Sequence, residues 1–122
     1  MTTMTAARPR FRRGDVILVL FPNSDLRTAK LRPALVVQAD DLETGLPQLI
    51  VAMITSNLGR ANHPSRVLIR RTTPGGRRSG LLTDSVVMTD NLATILETEI
   101  DRVIGTLPVR AVNTALRHTL GL

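Results

Sequence analysis

The 122-residue chain contains no cysteine, no tryptophan and no tyrosine, and it has only two phenylalanines. The missing cysteine excludes a disulfide framework, a thiolate metal site and a cysteine nucleophile. With only two histidines, His63 and His118, a histidine-rich metal site is not expected either. The near absence of aromatic rings argues against a base-stacking platform for nucleic acid. The sequence therefore predicts a protein that works without a metal or another cofactor.

Long hydrophobic runs are also missing. No apolar stretch approaches the ~20 residues that span a membrane, and the arginines near the N-terminus are not followed by the apolar segment of a signal peptide. We therefore expect no membrane association. Together with the lack of cysteine, this favours a cytoplasmic location. Residues 1–12 are expected to form a flexible basic tail, and residues 13–122 a single domain of ordinary size.

Basic charge is abundant, and nearly all of it is arginine. Sixteen basic and ten acidic residues give a formal net charge of +6, and Lys30 is the only lysine. Such a balance favours a polyanionic partner, nucleic acid first, because the planar guanidinium binds phosphate through two parallel hydrogen bonds. The alternative is that the charge only keeps the protein soluble. Residues 60–78 carry six arginines and no acid, whereas residues 79–101 carry five acids and no base, which predicts one basic and one acidic face.

The hydrophobic pattern is mostly that of β-strands. Seven short apolar segments rich in β-branched residues predict strands, at Asp15–Phe21, Pro33–Ala39, Gln48–Ser56, Arg66–Arg71, Asp84–Thr89, Asn91–Leu96 and Arg102–Leu107. After Pro108, apolar residues at spacings of three and four predict a C-terminal helix that ends at Gly121. About seven short strands and one helix indicate a mostly β (α+β) fold, a small curled sheet or barrel capped by the helix.

No common catalytic signature is present, so the candidate site residues are polar side chains near strand ends. Arg32 directly precedes the second strand, after a loop that holds Arg27 and Lys30. A fixed arginine beside two further cations predicts a phosphate clamp, with Arg27 and Lys30 as RNA-binding residues. His63 and His118 are not flanked by ligand-like residues, and we expect neither to be catalytic.

Hydroxyl and carboxyl groups stand near the ends of two further predicted strands. Thr55 and Ser56 place two hydroxyls at the end of the third strand, and Asp84 and Asp90 bracket the fifth. Cleavage of RNA needs little more than such groups. Because the ribose 2′-hydroxyl is a built-in nucleophile, an enzyme must orient it, help remove its proton and stabilise the charged phosphorane. We expect Ser56 and Asp84 to contribute to RNA binding.

Four segments of the chain, RRGDVILVLFP, LRPALVVQ, VAMITSN and SGLLTDSVVMTDNLATI, resemble in order and spacing the MazF/PemK (Kid) family of toxin endoribonucleases. The resemblance runs from about Arg13 to Gly105. It implies an SH3-like β-barrel with a C-terminal helix. It also implies a homodimer that cuts single-stranded RNA at short sequences without a metal, as the toxin of a type II toxin–antitoxin system neutralised by a cognate antitoxin protein.

The resemblance also implies roles for individual residues. Arg32 and Thr55 resemble the catalytic arginine and threonine of the family, and Asp90 resembles an acidic residue that helps to bind or activate the RNA. Two positions depart from the family pattern. Ala93 stands where the motif continues with an arginine, and Met88 stands where some members have a catalytic arginine.

Two alternatives belong to other functional classes. The CcdB toxins share the fold and bind DNA gyrase through a protein interface without nuclease activity, and fold alone does not separate the two functions. A catalytically inactive module that binds nucleic acid or antitoxin is the second alternative, suggested by Met88 and Ala93. The presence of Arg32 together with Thr55 favours the nuclease, because a gyrase-binding protein needs neither.

Overall fold

The structure is a computed structural model that describes residues 10–22 and 25–122. Residues 1–9 of the expected N-terminal tail lie outside the described residues. The described part contains six strands and two α-helices: β1 (Asp15–Pro22), β2 (Ala29–Val36), β3 (Gln48–Thr55), β4 (Arg66–Ile69), α1 (Pro74–Arg78), β5 (Ser85–Leu96), β6 (Ile100–Thr106) and α2 (Arg110–Leu120). Single turns of 3-10 helix at Leu58–Arg60 and Glu97–Glu99 complete it.

All strand pairs are antiparallel, and the six strands form one sheet in the order β4-β5-β3-β2-β1-β6. The strand pairs in the described residues do not join the two edge strands, β4 and β6, so the hydrogen-bonded sheet is open. The structure thus confirms a mostly β fold with a C-terminal helix. It does not establish the SH3-like β-barrel that the family resemblance implies.

The expectation of seven strands was wrong, because the predicted fifth and sixth strands are one continuous strand, β5. Ala52 and Met53 are consecutive in β3, but their partners in β5 are Leu92 and Met88. The residues between these partners therefore bulge out of the pairing with β3. Within the bulge, the backbone N–H of Thr89 donates to the carbonyl of Ser65 at 3.0 Å. The polar residues between Met88 and Leu92 therefore form a bulge within β5, where the sequence pattern indicates a break between two strands.

Both faces of the central strands are buried. Val16 belongs to one apolar cluster with Leu35 and with Val112 of α2, whereas the next residue, Ile17, belongs to a second cluster with Ala34. Because successive residues of a strand point to opposite faces, a strand buried on both sides reads as a continuous apolar run. This explains the uninterrupted hydrophobic stretch of β1. The helix α2 covers the first face.

Two glycines fix the segment between α1 and β5 against β6. Gly80 has a φ of +72°, and a Cβ atom placed there would lie 2.0 Å from the carbonyl oxygen of Ile104. A Cβ atom on Gly105 would lie 2.2 Å from the carbonyl oxygen of Arg78. Only residues without a side chain permit both approaches. The close contact determines where residues 80–83 run, and these residues form one wall of the cavity described next.

No helix in the described ranges is long and apolar enough to cross a membrane.

Candidate active site

A cavity of about 380 Å³ lies at the end of the sheet where β2 begins and β3 ends. Its apolar lining comes from Leu18, Pro33, Ile54 and Ile104, together with the leucines of the wall segment. Its polar lining consists of Lys30, Arg32, Thr55, Ser56, Thr83, Ser85 and Arg102. Of the seven site residues expected from the sequence, the structure thus brings four together: Lys30, Arg32, Thr55 and Ser56.

Arg32 and Thr55 come from neighbouring strands and share a face of the sheet. Ala34 of β2 pairs with Met53 of β3. Arg32 is two residues before Ala34 and Thr55 is two residues after Met53, so the alternation of side chains places both on the face of that pair. Both residues line the cavity. The arginine and the hydroxyl therefore border the same cavity from neighbouring strands.

The hydroxyl of Thr55 is oriented by the turn that follows it. The backbone N–H of Asn57 donates to Thr55 Oγ1 at 3.1 Å, and the Asn57 side chain in turn accepts from Gly59 N at 3.1 Å. Because Oγ1 already accepts one hydrogen bond, the hydroxyl's own hydrogen is directed elsewhere. Thr55 is thus a half-buried donor at the cavity edge.

Arg27 does not line the cavity. It lies in the turn before β2, where Asp25 accepts hydrogen bonds from the backbone N–H groups of Arg27 at 2.9 Å and Thr28 at 3.1 Å. These bonds, that from Arg27 first, lower the pKa of the Asp25 carboxyl. The turn leads directly into β2, and two residues of that strand, Lys30 and Arg32, line the cavity.

Asp84 also lies outside the lining, although Thr83 and Ser85 on either side of it belong to it. Its carboxylate accepts from the backbone N–H of Arg71 at 2.7 Å and from the guanidinium of Arg70 at 3.3 Å. The Arg71 backbone hydrogen bond is the main cause of a lowered pKa at Asp84. Asp84 thus joins the segment before β5 to the residues that follow β4.

Asp90 lies in the β5 bulge and is bound by Arg66 through two parallel hydrogen bonds. Arg66 Nε donates to Oδ1 at 2.8 Å and Nη2 donates to Oδ2 at 2.7 Å. This contact lowers the pKa of Asp90 and raises the pKa of Arg66. Asp90 does not line the cavity, and neither do Met88 and Ala93.

The two histidines contact each other away from the cavity. Their ring centroids are 5.9 Å apart in an edge-to-face arrangement, and His63 Nδ1 lies 2.6 Å from the hydroxyl of Ser65. His118 is in the last turn of α2. The side chains lining the cavity thus include three cations but no carboxylate and no imidazole, within the part of the chain that the structure describes. No group of three His, Cys, Asp or Glu side chains in that part could hold a metal ion.

Arg102 is the charged lining residue that sequence reasoning missed, in addition to the uncharged Thr83 and Ser85. The pattern RVIGTL predicts a strand there, but nothing local indicates that this strand pairs with β1. In the structure Arg102 is the partner of Leu18, and Leu18 also lines the cavity. The signal that could have found Arg102 is its charge: it is the only base between Ser79 and Pro108, in an otherwise acidic stretch.

Residues 12–120 match a protein family described as PemK-like, MazF-like toxin of type II toxin-antitoxin system. Endoribonuclease MazF2 of Mycobacterium bovis is 35% identical over 107 residues, which cover 84% of this chain and 90% of that protein. Endoribonuclease MazF of Staphylococcus saprophyticus is 30% identical over 115 residues, which cover 91% of this chain and 92% of that protein.

Solved structures share the fold. The Mycobacterium tuberculosis toxin MazF-mt6 superposes with a TM-score of 0.68 at 24% identity, covering 88% of this chain and 97% of that one. An endoribonuclease in complex with its cognate antitoxin from Mycobacterial species also gives a TM-score of 0.68, at 23% identity, covering 91% and 95% of the two chains. The relatives found by sequence and the solved structures thus both match most of the chain.

Proposed function

This chain belongs to the PemK-like, MazF-like toxin family of type II toxin–antitoxin systems, and from that we propose that it is a toxin endoribonuclease that cleaves single-stranded RNA at specific sequences without a metal. The observation that carries the proposal is the meeting of Arg32 and Thr55 at a cavity whose charged lining groups are all cations. A phosphodiester is the anion that such a cavity fits.

The reaction begins when the ribose 2′-oxygen attacks the adjacent phosphorus. The O2′–P bond forms and the P–O5′ bond breaks, which leaves a 2′,3′-cyclic phosphate and a free 5′-hydroxyl. Arg32 stabilises the additional negative charge of the phosphorane, and Thr55 donates a hydrogen bond that orients the phosphate. Arg32 is not the proton donor, because a guanidinium with a pKa above ~12 keeps its proton.

Protons move through water in this proposal. The proton of the 2′-hydroxyl leaves to water and the 5′-oxygen receives one from water, since the cavity lining offers neither a carboxylate nor an imidazole. Asp90 acts by positioning Arg66, because its lowered pKa makes it a weak base and both its oxygens are bound by that arginine. Ser56 and Lys30 bind the RNA backbone beside the reacting phosphate.

The gyrase-binding alternative is not favoured, because relatives that match most of this chain at 35% and 30% identity are named endoribonucleases. A catalytically inactive module is not favoured either. Those relatives are named endoribonucleases, and cleavage by the 2′-hydroxyl uses an electrostatic stabiliser and a positioning group, the roles proposed for Arg32 and Thr55.

The antitoxin is the second partner. Related toxins have been solved together with their antitoxins, and we propose that the cognate antitoxin of this chain covers the cavity with an acidic, partly apolar segment. Carboxylates would meet Lys30 and Arg32 as phosphates do, and apolar side chains would pack on the exposed Leu31 and Leu82. Since exposed ion pairs contribute only ~0–1 kcal/mol each, the apolar contacts supply most of the affinity.

Finer features of the family complete the proposal. The burial of β1 on both faces supports a sheet curled toward an SH3-like barrel. The protein would act as a homodimer in the cytoplasm, where its RNA substrate is, with residues 1–12 as a tail preceding one domain at 13–122.

The test is incubation of the purified protein with mixed-sequence RNA in EDTA. We expect fragments that end in 2′,3′-cyclic phosphate and begin with a 5′-hydroxyl, since no step needs a metal. RNA left intact by folded protein would overturn the nuclease proposal. Cleavage that appears only when divalent ions are restored would overturn the metal-free mechanism.

A further inference from the structure

The cavity receives a third cation from the strand on its far side. Arg102 of β6 pairs with Leu18 of β1, and Leu18 pairs on its other side with Pro33, the residue after Arg32. Neighbouring strands lie about 4.8 Å apart, so the backbones of β6 and β2 are separated by about 10 Å with Leu18 between them. Arg102 and Arg32 therefore line one cavity from two strands that are separated by β1.

In the structure, Arg102 has a carboxylate of the same chain as its partner. Its guanidinium bonds to the carboxylate of Asp101, the preceding residue, and the two side chains are 63% and 42% exposed. Exposed ion pairs of this kind are weak because water solvates both partners. A phosphate presents two oxygens to the guanidinium fork and can replace a single carboxylate contact. Asp101 itself is not part of the cavity lining.

We propose that Arg102 is a second phosphate-binding residue of the cavity, and that Asp101 competes with RNA for it. The separation of the strands assigns the two arginines to different phosphates: Arg32 meets the reacting group, and Arg102 meets a neighbouring group of the same strand. Arg102 thereby fixes the register of the RNA against Thr55. This inference rests on the proposed function, because the ligand is the RNA that the cavity cleaves.

The experiment separates binding from cleavage. The probe is a short, fluorescently labelled, mixed-sequence RNA in which every 2′-hydroxyl is methylated, so that no nucleophile is present. Its affinity is measured by anisotropy over a series of salt concentrations, for the wild type and for Arg102→Gln, Asp101→Asn and the double variant. Arg117→Gln is the matched control, because Arg117 is exposed on α2 and does not line the cavity. Thermal melts verify that each variant is folded.

We expect Arg102→Gln to weaken binding several-fold and to lower the log–log salt slope by about 0.7, the value for one phosphate contact to a single strand. Asp101→Asn should tighten binding several-fold. The double variant should bind like Arg102→Gln alone, because Asp101 acts through Arg102. Arg117→Gln should change the affinity and the salt slope less, because it removes one positive charge from a site away from the cavity.

Two results would overturn the inference: a salt slope for Arg102→Gln equal to that of Arg117→Gln, or a tightening by Asp101→Asn that persists in the Arg102→Gln background. Cleavage of unmodified RNA by the same wild-type preparation is recorded in parallel. If the wild type cleaves RNA but Arg102 proves unimportant, only this inference fails. If the wild type neither binds nor cleaves RNA, the proposed function fails with it.

Discussion

At the scale of single residues, the proposed chemistry depends on a division of labour between Arg32 and Thr55. The arginine contributes charge, which matters most when the phosphorane carries its additional negative charge. The threonine contributes direction, because the Asn57 N–H at 3.1 Å occupies one side of its oxygen and leaves its hydrogen to donate. The two residues should therefore differ in which step of the reaction they affect.

Thr55→Val tests this division, because it keeps the branched shape and removes only the hydroxyl. We expect the single-turnover cleavage rate to fall by ~10²-fold or more, with a much smaller change in affinity for methylated RNA. Thr114→Val, on the exposed face of α2, is the control for a lost hydroxyl. Equal losses of rate and affinity in Thr55→Val would make Thr55 a binding residue instead.

The ion pair of Asp90 and Arg66 should make the free energy of unfolding depend on pH. The folded-state pKa of Asp90 is lowered by Arg66, so the pair stabilises the fold above the unfolded pKa of ~3.9, and the stabilisation is lost as pH falls through the lower folded-state value. Asp90→Asn should therefore reduce the free energy of unfolding at neutral pH. It should reduce it much less in strong acid, where the wild-type carboxyl is protonated as well.

Denaturant titrations across the acid range provide the measurement, with Asp41→Asn as the control because Asp41 is exposed. A destabilisation by Asp90→Asn that stays constant with pH would show that the ion pair is not its cause. A large loss of cleavage without any loss of stability would restore Asp90 as a residue of the reaction.

At the scale of elements, local pattern was sufficient for most strands and for α2. Runs such as DVILVLF and the three-and-four spacing after Pro108 carry their periodicity in adjacent residues. The continuous β5 was not predictable, because the bulge at Thr89 is stabilised by the carbonyl of Ser65, far away in sequence. The placement of Arg102 was missed for the same kind of reason, since it depends on the pairing of β6 with β1.

The candidate site shows the same limit. Residues adjacent to the ends of β2 and β3 were found from the sequence because those strands are neighbours in the sheet. Asp84 and Asp90 bracket a predicted strand in the same way, yet their carboxylates are bound by Arg70, Arg71 and Arg66 outside the cavity. Position near a predicted strand end thus does not reveal whether a side chain lines the cavity: Thr83 and Ser85 line it while Asp84 between them does not, and Asp90 lies within β5.

The contact of α1 with β6 yields a prediction for the element that forms the cavity wall. Gly105→Ala should destabilise the fold by about 1–3 kcal/mol or more, because its Cβ would overlap the carbonyl of Arg78 at 2.2 Å and both backbones must move. Gly75→Ala is the matched control. Its Cβ would lie 3.5 Å from Pro108, an ordinary contact, and alanine favours the helix.

Equilibrium unfolding of both variants is the measurement. Equal stability of Gly105→Ala and the wild type would mean that the wall is not held by this contact. We also expect Gly105→Ala to cleave RNA more slowly even where it is folded, because Leu81, Leu82 and Thr83 line the cavity.

At the scale of the whole molecule, charge is arranged differently from the sequence expectation of one basic and one acidic face. The basic segment that contains β4 lies beside the acidic segment that contains β5, and Arg66–Asp90 and Arg70–Asp84 pair across them. These pairs offset much of the charge there. The cationic lining of the cavity is drawn from outside that basic segment, from Lys30, Arg32 and Arg102. In the proposed function, the net charge of +6 would attract RNA at long range, and the cavity would determine where it reacts.

Single-turnover cleavage of RNA by Arg32→Ala, in EDTA and beside a thermal melt, tests the central claim most directly. Arg32 is an exposed residue of the cavity lining, so removal of its side chain should change the free energy of unfolding by no more than ~0.5 kcal/mol. The cleavage rate should fall by ~10²-fold or more, whereas Arg117→Ala should cleave like the wild type. Near-wild-type cleavage by folded Arg32→Ala would contradict the account, because the reaction would then proceed without the charge on which it is built.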